Sequence, residues 1–227
     1  MEEEIKDNKL LLVDNQYFTL ISCIKYLFSH SNVKIFGYEP YQKMSFRNRC
    51  IVAGSNGLVN LSVPLEKGRD QKLPYRDVRV SYREAWQKHQ WTTLTSCYNK
   101  SAYFEFYRDG VEQFFLKKEV FLFDLNLNIL TWLKRVLNFP AEIDVVDTPG
   151  FLDPGIDLVD LRNKWLPKNF QDGFLGKPGL PPSLDFLPKY FQVFENRIGF
   201  QPNLSILDLL FNEGPNASAL LKTVSLP

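Results

Sequence analysis

The spacing of apolar positions changes several times along the chain. Residues 9–13, "KLLLV", form an apolar run too short for a helix and read as a buried strand. In "DNQYFTLISCIKYLFSHSN", Tyr17, Leu20, Ile21, Ile24, Leu27 and Phe28 recur at intervals of three and four, the spacing of one helix face. "VKIFGY" returns to strand character. Strand, helix and strand with short joints predict a βαβ unit with a parallel pair and a right-handed crossover. Ligand crevices of such units lie beyond the carboxyl ends of the strands. Asp14, Asn15, Gln16 and Tyr17 follow the first strand there, and Tyr38, Glu39 and Tyr41 follow the second.

In "RCIVAGSNGLVNLSVPL" two alternating runs flank Asn56-Gly57, a pair favoured in tight turns, so a hairpin turning on those two residues is expected. "DVRVSY" reads as a further strand. From Trp86 the period is helical, with Trp86, His89/Gln90, Thr93/Leu94 and Cys97/Tyr98 in register. "GVEQFFLKKEVFLFDLNLNILTWLKRVLN" continues as one or two helices that end before Pro140. Residues 140–190 are rich in Pro and Gly and read as an irregular wrap or lid. Helices resume at about 203–224, where Ser205 and Asp208 have capping-box spacing, Gly214-Pro215 stops one helix, and Asn216 is placed to cap the next. The fold expected is mixed α/β in a single domain over 1–227. A small mixed sheet from the βαβ unit and the hairpin (9–82) precedes a mainly helical half that begins with helices over 84–139.

Composition narrows the partners. Apolar residues at 44% and charged residues at 23% suit a globular chain with a real core, while 19 Phe and 10 Tyr suit either a packed interior or an aromatic-lined cleft. A net charge of +1 supplies no global field for nucleic acid, so any anion site is local. Cys23, Cys50 and Cys97 make neither a disulfide framework nor a CxxC site. The acidic start "MEEEIKDN" lacks the basic region of a secretory signal, and no apolar run nears the ~20 residues of a membrane span. The expectation is a reduced, soluble, cytoplasmic protein without membrane insertion.

The densest candidate chemistry is "YQKMSFRNRC", residues 41–50. Arginine offers a planar fork to carboxylate or phosphate, and lysine a point charge. Lys43, Arg47 and Arg49 could together hold an anion, with Arg47 and Arg49 on one strand face if the strand starts that early. The alternative is pairing with acidic neighbours on a sheet edge. With only His30 and His89, an all-histidine zinc site is excluded. His30 reads as a surface residue at a helix end. His89, between Trp86 and Trp91, is the candidate general base, or else a packed histidine. Cys97 lies about two turns, or ~12 Å, beyond His89 on one helix, too far for a Cys–His pair. Tyr98, Tyr103, Phe104 and Tyr107 are core or a ligand platform. The first turn has no glycine, so no phosphate-binding or dinucleotide fingerprint is present, and no cofactor or metal is expected.

These segments resemble the WbqC-like family over nearly the full length: "NQYF", "YQKMSFRNRC", "LSVPL", "WQKHQW", "CYNKSAYFEFY" and the tail "YFQVFENRIGFQPNLSILDLLFNEGP", which is similar to the Bacteroidetes branch. Family members commonly sit in O-antigen gene clusters. The resemblance therefore implies a transferase that moves an acyl or aminoacyl (glycyl) group to a sugar or similar polar acceptor in surface polysaccharide biosynthesis. In this reading His89 is the base, and Gln16, Tyr17, Tyr41, Lys43, Arg47, Asn48, Arg49, Trp86, Tyr98 and Tyr103 bind a small anionic donor and the acceptor. The alternative is a non-catalytic module for an anionic metabolite or a protein partner. A nucleotidyl-transferring α/β enzyme is a third reading, without the usual histidine and glycine signatures.

Overall fold

A computed structural model describes residues 9–66, 72–147, 157–167, 184–223 and 226. Leu10–Leu12 forms β1, Ile21–Ser29 forms α1 and Asn32–Phe36 forms β2, with β1 and β2 paired in parallel from Leu10↔Asn32 to Leu12↔Lys34. The βαβ unit is therefore present. All three residues of β1 are buried, because strands pair with it on both edges and it lies inside the fold; hence the unbroken apolar run.

Two further parallel strands come from the stretch read as irregular. Glu142–Val146 (β5) pairs with β2, and Leu158–Asp160 (β6) pairs with β1, giving the order β5-β2-β1-β6. Both are edge strands with exposed positions, and β6 has only three residues, so neither carries the apolar signature of β1. The question of a wrap or lid falls mainly on residues 148–156 and 168–183, outside the described residues.

The hairpin forms from Arg49–Gly54 (β3) and Gly57–Ser62 (β4), as a separate two-stranded sheet. Its turn sits one residue earlier than expected. Gly54 pairs with Gly57, so Ser55 and Asn56 form the loop, and Gly57, at φ +132°, opens the return strand. Because β3 begins at Arg49, Arg47 lies outside the strand and the same-face expectation for the two arginines does not apply. "DVRVSY" is not a strand. Leu65↔Val80 and Arg79↔Phe121 are isolated bridges to two different segments, next to a 3-10 turn at Tyr75–Asp77.

The helical half contains Trp86–Tyr98 (α2), Phe104–Leu116 (α3), Leu122–Leu137 (α4), the single turn Glu195–Ile198 (α5), Ile206–Glu213 (α6) and Asn216–Lys222 (α7). Helix α4 ends on Asn138 in the left-handed conformation, ahead of Pro140. The tail closes onto the N-terminal unit. Asn203 Oδ1 accepts from the Ser22 N–H at 2.9 Å and caps α1, while the buried Lys25 ammonium donates to the Leu221 carbonyl in the last turn of α7 at 2.7 Å. Ser205 Oγ accepts from Leu207 N–H at the start of α6, but Asp208 turns inward and the reciprocal half of the capping box does not form. Pro215 occupies the cap of α7, and Asn216 is its first residue. His30 is buried, its Nδ1 2.9 Å from the Tyr26 carbonyl, so it is not a surface residue. Much of the aromatic content goes into the core: Phe18, Phe104, Phe115 and Phe211 are all buried, with Phe18 stacked on Phe115 and Phe104 edge-on to Phe211. Among the described residues no helix is long and apolar enough to cross a membrane.

Candidate functional site

The order β5-β2-β1-β6 reverses direction between β1 and β6, and in open α/β sheets ligands bind outside the carboxyl ends at such a point. Asp14 follows β1 there, Glu39 follows β2, and Arg162 and Asn163 follow β6. Arg47 reaches into this edge from the loop before β3. Its Nη2 donates to Asp14 Oδ1 at 2.8 Å and Asn163 Oδ1 at 3.2 Å, its Nη1 donates to the Pro40 carbonyl at 3.1 Å, and Glu39 lies at 3.7 Å. The guanidinium also sits 4.9 Å from the centre of the Tyr75 ring. Burial opposes this charge, but Asp14, Tyr75 and Glu39 outweigh it and hold Arg47 protonated. Arg162 pairs with Asp160 and Glu39, extending the cluster.

The Arg47 network anchors the loop that precedes β3. Asn126 Nδ2 donates to the Arg47 carbonyl at 2.6 Å, and Tyr17 N–H donates to the Phe46 carbonyl at 2.9 Å. Thus fastened, the loop and the start of β3 bring Tyr41, Lys43, Asn48 and Arg49 to one cavity of about 300 Å³, completed by Met44 and the residues from Ser62 to Leu65. Met44 holds φ +57°, a left-handed conformation costly for a non-glycine residue, while Asn163, at φ +56°, is of a residue type that adopts it readily. Asn48 Nδ2 donates to the Val63 carbonyl at 3.0 Å, fixing the wall. Burial pushes the Tyr41 phenol up to about 12, against the pull of Arg49 and Arg47, so the ring presents a neutral hydroxyl. Lys43 is exposed and Arg49 half-buried, so the cavity joins two cations, a phenol and an amide.

The comparisons with known proteins bear on this loop. The model of the WbqC-like protein family matches residues 16–152. The chain belongs to the WbqC-like family. A relative, the uncharacterized protein Rv1507c of Mycobacterium tuberculosis, is 25% identical over 228 residues, covering 91% of each chain. No solved structure matches. The family-matched stretch spans every predicted site residue from Gln16 to Tyr103, whereas Arg162, Asn163 and Asp208 fall beyond it.

Within this WbqC-like chain the predicted residues divide into three groups. Tyr41, Lys43, Asn48 and Arg49 meet at the cavity, with Arg47 behind them in the buried network. Gln16, Tyr17, Trp86 and Tyr98 are buried. Gln16 Oε1 accepts from Leu20 N–H, the Tyr17 hydroxyl donates to Gln90 Oε1 at 2.8 Å, and the Tyr98 hydroxyl donates to Asp208 Oδ1 at 2.6 Å. Burial drives both phenols well up, so they act as packed hydrogen-bond donors. Tyr103, partly exposed, lies over Gly214. His89 is exposed on α2 and is not part of the cavity wall, although its neighbour Gln90 donates to the Ser62 carbonyl on that wall at 2.9 Å. Burial raises the Cys97 thiol, which disfavours a nucleophilic thiolate.

Sequence reading missed Arg162, Asn163, Asn126 and Tyr75 as members of the site's frame. The signal open to it was the position of Asp14 and Glu39 at the strand ends, which announced acidic partners for a nearby cation. A second centre lies in the core. Asp208, buried, accepts from the Tyr98 and Tyr190 hydroxyls at 2.6 and 2.7 Å, and burial raises its carboxyl to about 6 despite these bonds.

Proposed function

We propose that this protein is a cytoplasmic transferase whose anionic donor binds in the cavity of Tyr41, Lys43, Asn48 and Arg49. It moves an acyl or aminoacyl group to a sugar or similar polar acceptor in surface polysaccharide biosynthesis. The supporting observation is the convergence of two cations, a neutral phenol and an amide on a loop fastened to the carboxyl edge of the sheet. A volume of about 300 Å³ is at the small end of ligand pockets and suits the anionic head group of a donor such as a thioester or adenylate. The transfer chemistry and the acceptor class rest on the family resemblance. Arg47, already paired with Asp14, serves as the loop anchor, and His89 is the candidate base on the adjacent helix.

The test is thermal unfolding against nucleotide sugars, acyl and aminoacyl thioesters, ATP and free amino acids. A ligand at a hundred times its Kd adds about 2.7 kcal/mol, which moves Tm by roughly 5–10 °C for a chain of this size. The expected result is a shift with one anionic class that disappears in Arg49→Ala; a flat panel overturns the donor site. The second reading, a binding module, is favoured by the exposure of His89. With a donor in hand, His89→Ala that abolishes turnover but retains binding supports the transferase. Unchanged function in His89→Ala supports the module.

A further inference from the structure

A groove of about 500 Å³ runs between the start of α2 and the end of α3, away from the site above. Its floor is Tyr82, Trp91 and Phe115; Trp91 stacks on Phe115 at 5.6 Å and on Phe104 at 6.0 Å. Two hydrogen bonds tie the walls together. Gln87 Nε2 donates to the Lys117 carbonyl at 2.7 Å and the Tyr82 hydroxyl to the Glu119 carbonyl at 2.8 Å, linking the segment before α2 and α2 itself to the segment after α3. Leu116 on its lip is 74% exposed and Val120 just beyond is 48% exposed, so apolar surface continues past the mouth. The rim carries Arg83, Lys88 and Lys118 against one carboxylate, Glu84. Among the described residues none of these three cations is ion-paired; Lys118 lies 5.4 Å above the Tyr82 ring.

We propose that this groove docks an acidic peptide segment of a partner protein, anchored by one bulky apolar side chain. The preformed aromatic floor accepts the anchor without paying to reorganise. The surplus of cations selects acidic flanks and rejects basic ones. The apolar lip outside the groove covers more than a small molecule would, which favours a peptide.

The experiment is selection of a random twelve-residue peptide library on the intact protein, followed by fluorescence anisotropy of the enriched sequences as synthetic peptides. Enriched peptides are expected to place Asp or Glu beside a single Leu, Phe or Trp. Their affinity should fall at least tenfold in the double variant K88E/K118E and in Leu116→Asp, with Leu116→Ser as a milder second probe; all these side chains are exposed and unfolding temperatures should hold. No enrichment, enrichment without acidic residues, or binding that survives these variants overturns the proposal.

Discussion

Replacing Arg47 by Met keeps most of the aliphatic stem and removes the guanidinium. The side chains of Arg47 and Asp14 are 2% and 4% exposed and meet at 2.8 Å. Removing one partner of a buried pair leaves the other desolvated and typically costs about 3–5 kcal/mol. The Pro40 carbonyl and Asn163 Oδ1 lose a donor as well. The molecule contains its own control, since Arg76 and Asp147 meet at 2.7 Å with 46% and 47% exposure, and such surface pairs contribute about 0–1 kcal/mol. Urea unfolding of Arg47→Met and Arg76→Met should therefore differ by at least about 2 kcal/mol at unchanged m-value, although the two ion pairs are equally short. Adding Asp14→Leu to Arg47→Met should restore part of the loss by removing the stranded carboxylate. Equal effects of the two single variants, or a loss below about 1 kcal/mol for Arg47→Met, would refute the assignment of Arg47 as the anchor.

Three further outcomes follow from the core and the caps. Asp208 has a folded-state pKa of about 6 against an ordinary 3.8, so the folded protein binds that proton more tightly. Its stabilising contribution is complete below about pH 3.8 and lost as pH rises through 6, a swing of about 3 kcal/mol. The stability of the parent minus that of Asp208→Asn should accordingly fall between pH 4 and 7.5, and a flat difference would contradict it. Asn203→Ala should cost at least about 1–2 kcal/mol, by uncapping α1 and by setting Ala at φ +58°, measured by urea unfolding, whereas an unchanged midpoint would dismiss the cap. Gly214→Ala sets a new Cβ 2.4 Å from the Tyr103 ring at φ +56°. A loss of at least about 2 kcal/mol is expected by thermal melt, only partly relieved by adding Tyr103→Ala, because the backbone strain stays.

Elements with strong local signals were legible. The βαβ unit rests on an apolar run and a clean helical stripe, and α4 on sixteen residues with a well-separated buried face. The hairpin was legible in place but not in register, because Gly57 suits either the inside of a two-residue turn or its flank, and only the Gly54–Gly57 pairing puts it at the flank. Strands β5 and β6 were hidden because edge strands need not be apolar, and Glu142 and Asp144 face outward. At the site, the basic segment was visible, and so was the possibility that its arginines pair with acids. Which arginine pairs, and which lines a cavity, depends on Asp14, Glu39 and Asn163, the last of them 116 residues away. His30 looked like a surface residue from its polar neighbours, yet its ring is covered by the fold and 6.0 Å from that of Tyr26.

The cap that Asn203 places on α1 joins residues 181 apart, and β1 completes its second edge only with Leu158–Asp160. On the ribosome, at about 5–20 residues per second, roughly 10–40 s separate the synthesis of Ser22 from that of Asn203. Throughout that interval α1 is uncapped, and until residues 158–160 are made β1 also keeps an open apolar edge, a feature that recruits wrong partners. The order of synthesis therefore leaves β1 and α1 incomplete until the segments around residues 158–160 and 203 have been made.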